Sequence, residues 1–424
     1  MRSPARSILT AIILLVFAVT AALAESELSL ERCIELALQR NEAVAAAENK
    51  LAETRAKVQE KSSALWPSLD LSASYNRLPY ASTAKAAALG DSLDDYNLSV
   101  MLTQPLYAGG KLWSERESAE LERNKAADEL ARTRTDLVLD VTAAYYAARH
   151  AAAVLEAKRE SHRHLADFYR RSSVLAQKTL LPRPEDLLQI EVQLVNASIE
   201  VAAAETGERK TVRRLLELIG AEEEAVVLSD PLPAPMAADP PAALPLESNY
   251  QYRAALYDLA IARRAVTISR SDLLPEIDLN AYTAWEWAQL PPSEDYSEWG
   301  ISLRMLLFDF MKTPAKVWQS EFRMKQRQAG VEQLAHQLRL AYRDRLDEFN
   351  SARLRFELAE KNLARAEQSL KLYQARAQSY TVNSKQLLDA EQAALQARLN
   401  RLNVLLDHHL SRLTLARLLG REHI

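Results

Sequence analysis

Apolar and polar residues alternate with period two at four places in this chain, and recur with the helical period over most of the rest. Leu69, Leu71, Ala73 and Tyr75 share one side of a first strand, and Ser68, Asp70, Ser72, Ser74 and Asn76 share the other. Tyr96, Leu98, Val100 and Leu102 alternate in the same way with Asn97, Ser99, Met101 and Thr103. In the second half, Ile277, Leu279, Ala281, Trp285 and Trp287 share a side, and Trp299, Ile301, Leu303, Met305 and Leu307 do likewise. The pattern predicts four amphipathic strands, at about 68–78, 96–107, 276–287 and 297–308.

After each strand pair the period becomes helical. Pro105 ends ladder pairing because it has no N–H, and Gly109–Gly110 let the backbone turn with positive φ before a helix starts. From Lys111 to Leu181 there is no Gly or Pro, and as one helix that run would reach on the order of 100 Å. It stops at Leu180-Leu181-Pro182-Arg183-Pro184, where Pro184 suits a first helical position and Glu185 and Asp186 suit a helix N-terminus. A return helix carries Leu188, Val192, Val195 and Ile199 at coiled-coil spacing and ends at Gly220. A second switch stands at Leu306 to Lys312, and the run from Val331 to Leu419 again lacks Gly and Pro, with a reversal at Thr381-Val382-Asn383-Ser384.

The halves repeat. Asn41, Leu51, Ala52, Arg55, Val58, Leu65 and Pro67 recur 208 positions on as Asn249, Leu259, Ala260, Arg263, Val266, Leu273 and Pro275. Later the offset is 200, which takes Leu187-Leu188 to Leu387-Leu388 and Gly220 to Gly420. Between them lies a Pro-rich linker in which regular helix is excluded. The organisation predicted is a signal peptide at 1–24, a first repeat at 25–220, the linker at 221–247 and a second repeat at 248–424. Each repeat is a helix, a strand hairpin and a long helical hairpin.

Composition adds limits. Gly is only 8 of 424 residues, as long helices require, and the net charge of -4, with both signs interleaved, gives no footprint for nucleic acid. Arg2 and Arg6 before the apolar run Ile8 to Ala22, then Ala22-Leu23-Ala24, predict export with cleavage ahead of Glu25. No later stretch reads as apolar enough for a transmembrane helix. The lone Cys33 forms no intrachain disulfide, reads as a small buried residue, and leaves no lipid-anchor cysteine at the cleavage site. Neither His162 with His164 nor His408 with His409 has the zinc spacing of a helix, so both pairs read as solvated surface histidines. No metal, cofactor or catalytic group is expected.

Four strands cannot close a barrel, yet these have one apolar and one polar face, as strands of a barrel in lipid do, so closure must come from other chains. Trp285, Trp287 and Trp299 lie near the loop between the last two strands, where an interfacial aromatic belt would sit. The chain resembles the TolC-type outer-membrane efflux channels over nearly all of its length. The resemblance is carried by Leu30 to Asn41, the turn Gln104-Pro105-Leu106-Tyr107-Ala108-Gly109-Gly110, Leu387-Leu388-Asp389-Ala390, and the helix ends at Gly220 and Gly420. It implies a mostly α fold with a small β part: long coiled-coil hairpins forming an α-barrel tunnel, and four amphipathic strands per chain in a trimeric transmembrane β-barrel of roughly 12 strands. It also implies passive conduction across the outer membrane, with a periplasmic adaptor and an inner-membrane pump as partners in efflux or type I secretion.

Two departures from the family pattern stand out. The second turn has Leu306 where the family has proline, and Phe310 and Met311 where it has glycines. The helical tips lack the usual glycine, with Thr179 and Leu180 in one and Ser379 and Tyr380 in the other. The resemblance makes Asp389, with Gln386 one turn earlier, a candidate periplasmic gate, and Lys385 and Tyr380 its linking groups. Thr179, Leu180, Leu181, Arg183, Thr381, Asn383 and Ser384 become candidate adaptor-docking positions. Two other readings stay open at this point: a periplasmic coiled-coil adaptor or scaffold, and an exported enzyme, for which the sequence offers no catalytic grouping.

Overall fold

The computed structural model describes residues 26–77, 94–178, 183–221, 226–235, 240–287, 294–378 and 384–421. The signal-peptide assignment at 1–24 therefore lies outside the described residues. In chain order the elements are β1 (Ser26–Leu28), α1 (Leu30–Arg40), α2 (Glu42–Ser63), β2 (Ser68–Arg77), β3 (Asp94–Ala108), α3 (Lys111–Lys178), α4 (Pro184–Ile219) and β4 (Val226–Leu228). The second half adds a short 3-10 turn (Leu246–Ser248), α5 (Tyr250–Ser271), β5 (Glu276–Trp287), β6 (Glu294–Arg304), α6 (Lys312–Gln378) and α7 (Ser384–Leu419).

Sequence signals set the helix ends. Ser29 Oγ accepts from the N–H of Arg32 at the start of α1, and Asn249 Oδ1 accepts from the N–H groups of Gln251 and Tyr252 at the start of α5. Asn41, the repeat counterpart of Asn249, accepts from Ala43 and Val44 in the same way at the start of α2. Gly220 ends α4 in the left-handed region with φ 63°, returning its N–H to carbonyls of the last turn.

Two compact units form, and each takes segments from both repeats. A helical unit comprises Met1–Ala45, Thr133–Pro245 and Leu338–Ile424; a sheet unit comprises Ala46–Arg132 and Leu246–Gln337. The repeats are thus units of sequence, and the compact bodies cut across them.

In the sheet unit the strands run antiparallel in the order β2-β3-β5-β6, leaving β2 and β6 as free edges among the described residues. Leu71 pairs with Val100, Leu98 with Trp285, and Leu279 with Ile301, so the apolar sets fall on one face as the alternation requires. β3 passes Pro105 through an irregularity between Pro105 and Tyr107 and still pairs Ala108 with Glu276. β6 stops at Arg304, short of the predicted 308, because its partner β5 begins only at Glu276, just after Pro275, and leaves Met305 to Phe308 without a strand to pair with.

The helical unit has a conventional interior. Tyr145, Leu139, Val141, Ile190, Leu215, Ile219, Leu415 and Leu419 are buried in it, as is Cys33, whose thiol burial pushes up to about 11 with Asp230 adding to the effect. The linker is more than the loop its prolines suggest. Val226–Leu228 pairs in parallel with Ser26–Leu28, and four side chains strap the rest down. Tyr145 Oη donates to Leu28 O at 3.2 Å and accepts from Asp230 N at 3.0 Å; Arg149 donates to Leu228 O, Tyr342 to Pro241 O and His409 Nε2 to Pro233 O at 2.9 Å.

Two expectations need correcting here. His408 and His409 are buried rather than solvated, at 1% and 0% exposed, since α7 turns both rings inward against Phe349 and Tyr146. Burial lowers both, His409 to about 4, with Arg412 pushing the same way. His162 and His164 are as expected at the surface, the first half-exposed beside Ser198 and the second beside Glu391. The second correction concerns α4. Over 18 residues its mean hydropathy of 1.2 meets the length and composition of a membrane span, yet only 6% of that window is buried. Its large apolar residues fall on two sides: Ile190 and Leu194 pack inward with Leu165 and Leu388, and Leu188, Val192, Val195 and Ile199 stand exposed.

Candidate functional site

The apolar side of the sheet meets no cover from its own unit. Leu71 is 71% exposed, Leu303 65% and Trp299 80%, whereas on the polar side Ser99 and Ala284 are buried. Strands with one apolar and one polar face in this register are those of a barrel wall between lipid and water. Asn280 donates to Ser302 Oγ at 2.9 Å and Thr283 shares a hydrogen bond with Ser297 at 3.0 Å, so polar groups tie β5 to β6. Trp285 pairs with Asp295 near the loop end. Trp299 pairs instead with Ala281, six rungs from Trp287 or roughly 20 Å along the strand, so it is a mid-sheet residue and not part of a rim. The side chain of Trp287 lies outside the described residues.

The two strand-to-helix turns differ sharply. At the first, Gly109 has φ +59° and an added Cβ would lie 3.0 Å from the Cβ atoms of both Leu274 and Ser271. Position and backbone both demand glycine. At the second, Phe310 and Met311 hold the same left-handed region, with φ 52° and 67°, and project outward. Each such residue costs roughly 1–2 kcal/mol in backbone strain. Asp309 steadies the turn by accepting from Thr313 N at 2.7 Å and from its hydroxyl, so α6 begins at once behind it.

At the reversal of the helical hairpins, Leu388 joins Leu165 and Ile190 in a buried cluster with Phe168, Tyr169, Leu194 and Ala197 against it. With Leu387 and Ala390 also buried, α7 has one committed side, and Gln386 and Asp389, three apart, lie on the exposed side. Lys385 is exposed too, Ser384 begins α7, and Arg183, also exposed, precedes α4 with Glu185 at 3.7 Å. Gln374 Nε2 donates to Glu391 at 3.1 Å, linking α6 to α7 just beyond Asp389. Tyr380, Thr179, Leu180, Leu181, Thr381 and Asn383 lie outside the described residues. No group of three or more metal-ligating side chains occurs among the described residues. Sequence reasoning missed the buried histidines and the linker straps, for which the only signal was the apolar run Val226-Val227-Leu228.

A four-stranded sheet with a polar side and an apolar side, joined to long helical hairpins, is one protomer of a membrane channel. Residues 33–221 and 244–421 match the model of the outer membrane efflux protein family, and the chain belongs to that family. The crystal structure of the MtrE outer membrane channel of Neisseria gonorrhoeae superposes with a TM-score of 0.81 at 19% identity, covering 93% of this chain and 89% of that one. VceC of Vibrio cholerae gives 0.78 at 18% identity over 92% of this chain and 96% of its own, and the Campylobacter jejuni CmeC channel 0.77 at 16% over 92% and 85%. No curated protein matches in sequence. The protein is an outer-membrane efflux channel, and the periplasmic-adaptor reading falls, since the family match takes in the strands as well as both helical hairpins.

Proposed function

We propose that three copies close one barrel in the outer membrane and one helical tunnel beneath it, conducting substrate passively while an adaptor and an inner-membrane pump supply direction and energy. The observation that carries this reading is the open sheet itself, with two unpaired edges and an apolar face exposed to the extent of Leu71 and Leu303. An edge left free exposes a row of unpaired backbone groups, and in lipid each such group costs several kcal/mol, so β2 of one copy pairs with β6 of the next. The chain reaches the outer membrane through a signal peptide cleaved before Glu25. No step requires a catalytic group.

Asp389 and Gln386 of three copies ring the periplasmic mouth, with Lys385 and Tyr380 linking neighbouring helices, and the hairpin tips from Thr179 to Arg183 and from Thr381 to Ser384 meet the adaptor. What supports the gate is that the buried Leu387, Leu388 and Ala390 leave only the opposite side of α7 for the pore. Cross-linking in native membranes should give a three-chain band, and planar-bilayer currents through Asp389→Ala should show reduced cation selectivity with assembly intact. A conducting monomer overturns the trimer, and unchanged selectivity in an assembled variant removes Asp389 from the mouth.

A further inference from the structure

We infer that the second strand-to-helix turn is a lipid anchor: Phe308, Phe310 and Met311 enter the membrane boundary at the helix end of the sheet, and the basic start of α6 holds anionic phospholipid headgroups against it. The inference rests on the reading of the sheet's apolar face as lipid-facing.

Continuity is the first argument. Ile301 and Leu303 belong to the apolar face, and beyond Arg304, where pairing stops, Leu307 at 88% and Phe308 carry the exposed apolar surface onward to Phe310 at 87% exposed. The rings of Phe308 and Phe310 stand 4.7 Å apart and form an aromatic pair on the surface of the unit. Backbone strain is the second argument. Phe310 and Met311 occupy a left-handed conformation in which glycine would be relaxed, and both side chains stand exposed, unlike the crowded site at Gly109. In water such a turn is both strained and greasy, and burial of its side chains in an apolar surrounding offsets that cost.

Charge is the third argument, and it names the occupant. The first 16 residues of α6 carry Lys312, Lys316, Arg323, Lys325 and Arg327 against Glu321 alone, while the first 16 of α3 carry four cations and four carboxylates. Lys316 is bound to Asp272 at 2.6 Å and Glu321 to Arg270 at 2.6 Å, and Lys325 lies over the Phe322 ring; Lys312, Arg323 and Arg327 are exposed. Trp318, half-exposed, sits two turns along the same helix, about 10 Å from Met311, within reach of the headgroup layer. An aromatic wedge flanked by cations is how a protein grips an anionic lipid surface.

Spin labels decide it. Phe310→Cys, Phe308→Cys, Leu303→Cys and Ser302→Cys are made singly with Cys33→Ala, and the trimer is reconstituted in vesicles of phosphatidylethanolamine and phosphatidylglycerol at about 3:1. Relaxation by oxygen, which partitions into lipid, is compared with relaxation by a water-soluble nickel chelate. The label at 303 should favour oxygen and that at 302 the chelate, and the ratio at 310 and 308 should exceed that at 302 by about three-fold or more. A chelate-accessible 310 beside a lipid-accessible 303 overturns the anchor and leaves the barrel reading intact. A chelate-accessible 303 overturns both. Protection of 310 from both reagents puts a neighbouring copy over the turn and overturns the anchor. Spin-labelled phosphatidylglycerol should associate with the trimer about two-fold over phosphatidylcholine, and Lys312→Gln with Arg323→Gln and Arg327→Gln should erase the preference; a preference that survives overturns the headgroup contact.

Discussion

Tyr145 and Leu303 are large side chains within regular elements, yet Tyr145 is 1% exposed and Leu303 65%. Tyr145 lies in the helical unit, where the chain's own linker is drawn over the helices by backbone groups of Leu28, Asp230, Pro233 and Pro241. Leu303 lies in the sheet unit, where nothing of that unit covers the apolar face. The first region is completed from within and obeys the rules of a soluble core. The second has the inverse arrangement, and its stabilising partner is the solvent on the other side, hydrocarbon instead of water.

The largest expected effect comes from forcing the sheet unit to carry a side chain where it has no room. Gly109→Val meets Leu274 and Ser271 at 3.0 Å and a φ of +59°, and should cost about 2–5 kcal/mol, read as loss of the heat-resistant oligomer band. Phe310→Ala at the matching turn should leave that band in place. Next is the face itself: Leu303→Arg should cost about 2–4 kcal/mol in lipid, and Ser302→Arg almost nothing in a wet lumen. Equal damage on both sides would break the comparison and make the sheet an ordinary two-sided core.

The helical unit should answer to pH instead. His409 falls from an ordinary value of 6.5 to about 4 on folding, mainly through burial. The unfolded chain therefore binds the extra proton first, so stability is fully present above 6.5 and is lost as pH falls from there toward 4, by on the order of 2–3 kcal/mol. Denaturant midpoints between pH 7.5 and 4.5 test this, and His409→Asn should flatten the slope. Smallest is Tyr145→Phe, which strands Asp230 N and leaves Leu28 O with Ser229 N as its donor, and should cost about 1–2 kcal/mol in the helical unit with channel conductance unchanged.

Strand alternation, the glycine turn and the long Gly- and Pro-free runs were legible in the sequence because each is a local signal. Leu71 to Tyr75 needs only its own period to show two faces. What escaped depended on distant partners. The end of β6 at Arg304 is decided by where β5 starts, and the burial of His408 and His409 by Phe349, Tyr146 and the linker. Trp299 looked like a rim residue by its distance from a loop, but register with Ala281 puts it in mid-sheet. Asp389 was legible through its motif, and its exposure follows from a cluster with Leu165 and Ile190, more than 190 residues earlier in the chain.

The parallel pairing of Ser26–Leu28 with Val226–Leu228 governs the order in which the protein can be born. The helical unit needs residues as early as Leu28 and as late as Leu419, so no nascent prefix can assemble it. At about 5–20 residues per second, the first strand waits roughly 10–40 s for its mate, and synthesis of the whole chain takes roughly 20–80 s. The topology therefore holds off completion of the helical unit until almost all of the chain has been made. The late-arriving C-terminal helix then acts as the latch that commits it to fold.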